Sequence, residues 1–95
     1  MKVYLDDTRA TPPGWVRTYT APETIALIEA GDVDELSLDH DLGGGDAGTG
    51  YDVCLYLEDR AYNGLPVPEK IQVHSANPVG RIRMKAALRK MESYL

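Results

Sequence analysis

The chain has 95 residues, 43% of them apolar and 26% charged, which suits one globular domain and excludes disorder or a second core. Its one cysteine, Cys54, excludes an internal disulfide framework and a thiolate metal cage. A formal charge of −5 argues against general nucleic-acid binding, but it conceals a gradient: residues 1–77 carry 14 acids and 5 bases, residues 78–95 one acid and 5 bases.

No apolar run approaches the roughly 18 residues of a membrane helix, and no basic-then-apolar start suggests a signal peptide. A reducing, cytoplasmic setting without membrane contact is therefore expected. Along the chain, apolar runs alternate with helical periods, the pattern of an α/β layer fold. The run Lys2-Val3-Tyr4-Leu5 reads as a strand and stops at Asp6-Asp7. Residues 15–19 alternate like a short edge strand. Thr20 is placed to cap a helix, with Pro22 in its first turn, Glu23 at the reciprocal capping-box position and Gly31 as its stop. Leu36-Ser37-Leu38 is a third strand, running into Asp39-His40-Asp41.

The glycine-rich stretch 43–48 reads as a mobile loop. Thr49 then caps a helix through about Asn63, with Val53 and Leu57 one turn apart and Gly64 ending it. Residues 71–74 form a fourth strand, followed by Ser75-Ala76-Asn77. Pro78 opens the last helix, on which Met84, Leu88, Met91 and Leu95 fall at i, i+4, i+7 and i+11.

One connection is unusual. Only the eight residues 7–14 separate the first two strands, and Pro12-Pro13 prevents a helix across them. A parallel crossover normally needs a dozen residues and a helix. Eight extended residues still reach roughly 26 Å, enough to retrace a short strand. A parallel pair with a stripped crossover is expected, leaving one sheet face near the first strand without its helix.

Three strands end in reactive groups: Asp6-Asp7, Asp39-His40-Asp41 and His74-Ser75-Ala76-Asn77. In an open parallel sheet these ends share one rim, where ligands bind. Four carboxylates on one rim repel, and a hard divalent cation relieves that repulsion while leaving positions open for phosphate. His74 and Ser75 point to opposite faces, so they do not form a nucleophile pair. Cys54, in mid-helix beside Val53 and Leu55, reads as packing.

The order of these motifs resembles a reduced receiver domain of bacterial response regulators. Asp6 and Asp7 match the acidic pair after strand one, Asp39 the phosphoacceptor ending strand three, and Ser75-Ala76 the Ser/Thr-Ala step ending strand four. Departures are equally clear: the first helix, the fifth strand and the lysine it carries are missing. Those departures, with Val3-Tyr4-Leu5-Asp6-Asp7-Thr8-Arg9, Leu38-Asp39-His40-Asp41-Leu42, Gly48-Thr49-Gly50-Tyr51-Asp52 and Val73-His74-Ser75-Ala76-Asn77-Pro78, resemble the cyclic-phosphate processing receiver family. The resemblance implies one flavodoxin-like domain over residues 1–95: three layers, a four-stranded, mainly parallel sheet in the order 2-1-3-4, and about three helices.

The expected function is a metal-dependent phosphoesterase-like domain, a hydrolase acting on a small cyclic phosphate or nucleotide-derived ligand. Asp6, Asp7, Asp39 and Asp41 would hold Mg²⁺ or Mn²⁺. His40 and His74 would move a proton, with Asp39 as the third catalytic group. Arg9, Ser75, Asn77 and Arg81 would hold phosphate oxygens. A module that captures the ligand without turning it over is the alternative; a degenerate phosphoacceptor domain is the third reading. The short edge strand with Trp15, Val16 and Tyr19, together with the missing elements, leads to the expectation of a homodimer.

Overall fold

The computed structural model describes residues 1–95. The strands are β1 (Lys2–Leu5), β2 (Val16–Thr18), β3 (Glu35–Leu38) and β4 (Lys70–Val73). The helices are α1 (Ala21–Glu29), α2 (Gly50–Tyr62) and α3 (Pro78–Glu92), with one 3-10 turn at Gly45–Ala47. All strand pairs are parallel, in the order β2-β1-β3-β4. The helix-free connection holds: β1 and β2 pair with Val3 opposite Val16 and Leu5 opposite Thr18.

Strand alternation divides the sheet into two unlike faces. Val3, Leu5, Leu36 and Leu38 point into the core with Ile28 of α1, Val53, Cys54 and Leu57 of α2, and Met84, Leu88 and Met91 of α3. The helices stand side by side on that face, α1 against α2 and α2 against α3. Burial pushes the Cys54 thiol up to about 12, as befits a packing cysteine. Leu95 is an exception to the expected stripe: α3 ends at Glu92, and Leu95 lies 74% exposed beyond it.

The opposite face carries no helix, so the expected three layers reduce to two and a sheet surface. Arg17, Tyr4, Ser37 and Gln72 form one cross-strand row there, by the register Arg17–Tyr4–Ser37–Gln72. These side chains cover one another. The Tyr4 ring stacks on His74 at 4.4 Å, Trp15 meets it edge-on at 6.3 Å, and the Arg17 guanidinium lies 5.9 Å above it. Tyr4 and Ser37 are buried as a result. On the β2 edge, Val16 and Tyr19 remain exposed.

Capping follows the sequence with one exchange. Thr20 accepts the Glu23 amide, but the Glu23 carboxylate meets the Thr20 hydroxyl, so the reciprocal half of that box is absent. The complete box forms at α2, where Thr49 accepts from the Asp52 amide and Asp52 accepts from the Thr49 amide. Asp52 therefore serves the helix start.

Candidate functional site at the strand ends

The chain leaves β1 by a turn built on Asp6. Its Oδ1 accepts the backbone amides of Thr8 at 2.8 Å and Arg9 at 2.9 Å, which reverses the chain without a helix. Its Oδ2 accepts from the Arg9 guanidinium and from His74 Nε2, both at 2.9 Å. Arg17 fixes the same turn from β2, donating to the Asp6 carbonyl and, at 2.8 Å, to the Thr11 hydroxyl.

Asp39 extends β3 beside this carboxylate. Its Oδ1 accepts the His40 amide, and its Oδ2 lies 3.3 Å from the same Arg9 nitrogen. Asp6, Asp39 and His74 thus bring three ligating atoms within 4.8 Å of one another. The repulsion expected among the acids is answered by an internal cation: Arg9 bridges the two buried carboxylates.

Burial alone would raise the Asp6 carboxyl. The amides of Arg9 and Thr8, the guanidinium and His74 outweigh it and hold the group well below the usual carboxylate range. Arg9 is raised in return, first by its bond to Asp6. Ionised Asp6 therefore stabilises the fold above its unfolded-state value of about 4, and that stability is lost as pH falls through the lowered folded value. Urea midpoints measured from about pH 6 down to about pH 2 should therefore decline more steeply for wild type than for Asp6→Asn. Parallel acid limbs would contradict this.

His74 is held from behind. Gln72 donates to the Ser37 hydroxyl at 3.1 Å, and Ser37 lies 2.7 Å from His74 Nδ1. An ionised Asp6 only accepts, so His74 Nε2 carries a hydrogen. Ser37 spends its own on Nδ1, and this Nε2–H tautomer satisfies every partner. Ser75 takes no part in that chain; its buried hydroxyl accepts the Asn77 amide.

His40 belongs to a second pair. Its Nδ1 lies 2.8 Å from Asp41, and this contact, against a weaker opposing effect of burial and with help from Asn77, lowers the Asp41 carboxyl. The His40 ring lies flush on α3, where a Cβ at Gly80 would come within 2.6 Å of its Cδ2. Asn77 caps α3 through the Gly80 amide, and its side-chain amide points at Asp41 at 3.4 Å.

Between these pairs opens a cleft of about 430 Å³ lined by Asp7, Thr8, Arg9, Asp39, Asp41, Gly43 and Ala76. Asp7, Arg9, Asp39 and Asp41 thus reach one space. Asp6 and His74 stand behind it, and neither histidine lines it. Ser75 and Asn77 act as turn and cap. Arg81 is exposed on the first turn of α3 and makes no ion pair.

Sequence reasoning missed Ser37, Gln72, Tyr4 and Arg17. Their one signal was shared parity on short strands, which becomes a row only once the register is known.

No helix is long and apolar enough to cross a membrane. Among known proteins, neither a curated protein nor a solved structure matches the chain. The family model for the cyclic-phosphate processing receiver domain matches residues 1–90, nearly the full length and every element of the rim. The chain belongs to the cyclic-phosphate processing receiver family.

Proposed function

We propose that this rim processes a small cyclic phosphate or nucleotide-derived phosphate ester with the help of a divalent cation. The observation that carries the reading is the cleft itself: three carboxylates and one guanidinium converge on it, and Ala76 is its only apolar wall. With a divalent cation seated on the carboxylates, such a lining would take a phosphate group, and it offers a nucleobase little to stack on.

The donor set fits a hard cation. Asp6 and Asp39 present carboxylate oxygens within the 4.8 Å cluster, and Asp7 and Asp41 line the adjoining wall. The His74 Nε2 in that cluster carries the hydrogen it donates to Asp6 and has no lone pair for the ion, so the ligands would be carboxylate oxygens, which suit Mg²⁺ and Mn²⁺ alike. These residues would hold the ion, which when bound polarises a phosphoryl oxygen and activates water.

The chain's own groups supply the rest. Arg9, half in water, offers paired donors to phosphate oxygens. The Asp41–His40 pair holds a proton at His40 Nδ1, and Asp41 carries the pair to the cleft wall. His74 positions Asp6 through its Nε2–H. Asn77 keeps Asp41 in place and starts α3.

The capture reading draws on one observation, that neither imidazole lines the cleft. A panel of 2′,3′-cyclic nucleotides and cyclic dinucleotides, incubated with and without Mg²⁺ or Mn²⁺, separates the two. Cation-dependent product supports processing. Saturable binding without product supports capture, and the absence of both overturns the assignment. Labelling of Asp39 by acetyl phosphate would instead favour the phosphoacceptor reading, which the absence of lysine from the cleft disfavours. The cation alone should also raise the melting temperature, because it binds the folded state only. No shift with millimolar Mn²⁺ would contradict the cation site.

A further inference from the structure

We propose that Arg9 is a displaceable counter-ion that couples cation binding to phosphate binding, an inference that rests on the cation reading above. One guanidinium nitrogen lies 2.9 Å from Asp6 Oδ2 and 3.3 Å from Asp39 Oδ2. It therefore occupies the carboxylate pair that the ligating cluster is made of. A divalent ion coordinates such oxygens at about 2.0–2.2 Å, and a unit positive charge one hydrogen bond away opposes its entry. The two cations exclude each other.

The partners differ in how readily they leave. The Asp6 side chain is fully buried and that of Asp39 9% exposed, whereas the Arg9 side chain is 42% exposed. The Arg9 backbone stays fixed, because its amide and that of Thr8 are both bound to Asp6 Oδ1. The side chain can swing while the turn remains. Once displaced, it faces the cleft beside Thr8, Gly43 and Ala76 and needs a new anion. A phosphate monoester or diester matches its paired donors.

Cation entry thus frees the phosphate clamp, and phosphate, by holding the clamp outward, favours cation entry. Linkage makes the two effects equal in size. Without ligand, Arg9 neutralises the buried acids and holds the site closed to weakly bound ions.

Calorimetric titration of Mn²⁺ into wild type and Arg9→Gln, each with and without methyl phosphate, tests this. Arg9→Gln should bind Mn²⁺ about tenfold more tightly than wild type in the absence of methyl phosphate. Methyl phosphate should tighten Mn²⁺ binding about fivefold in wild type and clearly less in the variant. Equal Mn²⁺ affinity in the two proteins overturns the inference while leaving the cation site standing. Equal enhancement also overturns it, because direct contact between phosphate and ion would then suffice. Failure of Mn²⁺ to bind either protein overturns the cation reading and this inference together. If Arg9→Gln folds only with metal, melting temperatures give the same comparison: Mn²⁺ must raise the variant more than wild type, and a smaller or equal rise counts against the proposal.

Discussion

Replacing Gly50 with alanine should cost roughly 3 kcal/mol of stability and remove cation binding with it. A Cβ at this position would collide with the Asp39 carbonyl and approach Met84 Cε to 2.6 Å. The methionine tip can give way; the backbone of a strand end cannot. Two further contacts join helix and strand at the same point. The Gly50 amide donates to the His40 carbonyl at 3.1 Å, and Asp41 bridges to Thr49. Sliding α2 outward to fit the methyl group therefore drags residues 39–41, which carry one buried acid and one cleft acid. Gly64→Ala is the matched control. It meets no neighbour within 4 Å and carries only the strain of its φ of +74°, at about 1–2 kcal/mol. Denaturant midpoints and Mn²⁺ titration should separate the two variants. Equal stability costs, or a Gly50→Ala protein that still binds the ion, would contradict this account.

The two histidines should separate just as sharply. His40→Ala should lower kcat by roughly 10²–10⁴ with KM near wild type, because it removes the proton held against Asp41. Gly80→Ala offers a second handle: its methyl group would displace the His40 ring without deleting it, and its kcat should fall in parallel. His74→Ala should act elsewhere. It strips one donor from buried Asp6, leaves the Ser37 hydroxyl without its acceptor, and exposes a Tyr4 ring whose stacking contributes about 0.5–1.5 kcal/mol. Its main signature should be a lower urea midpoint and weaker cation binding. Steady-state kinetics and urea midpoints on the same three variants decide it. A selective kcat loss in His74→Ala with full stability would exchange the two roles, and unfolding of His40→Ala would make that residue structural.

What was legible in the sequence depended on range. Asp6, Asp39 and His74 stood out because polar groups interrupt apolar runs at strand ends, and parallel pairing brings such ends together whatever the rest of the chain does. The sheet order came through the family resemblance and is the one observed. The Gly48-Thr49-Gly50-Tyr51-Asp52 string was recognisable as a pattern, but its physical meaning was not. Thr49 and Asp52 cap α2, and Gly50 lets that helix touch the Asp39 carbonyl, a contact across unconnected elements. Charge pairing was the least legible. Arg9 follows Asp6 by three residues, which hints at one contact, yet its second bond to Asp39 depends on the register of β1 with β3. The third layer was expected from the family pattern. In its place, aromatic and guanidinium side chains cover a sheet face that no helix reaches.

A Mn²⁺ titration followed by backbone amide NMR tests the strand-end cation site most directly, since the paramagnetic ion broadens nearby signals first. Besides the strand-end cleft, acids line a groove of about 320 Å³ with Glu35, Glu69 and Glu92 beside Trp15 and Lys70, and another of about 320 Å³ with Glu58 and Asp59. Signals of residues 6–9, 39–41, 43 and 76 should disappear at the lowest Mn²⁺ concentrations while those of residues 35, 58, 59, 69 and 92 persist. Earlier loss at residues 35, 58, 59, 69 or 92, or uniform broadening across the chain, would contradict that site.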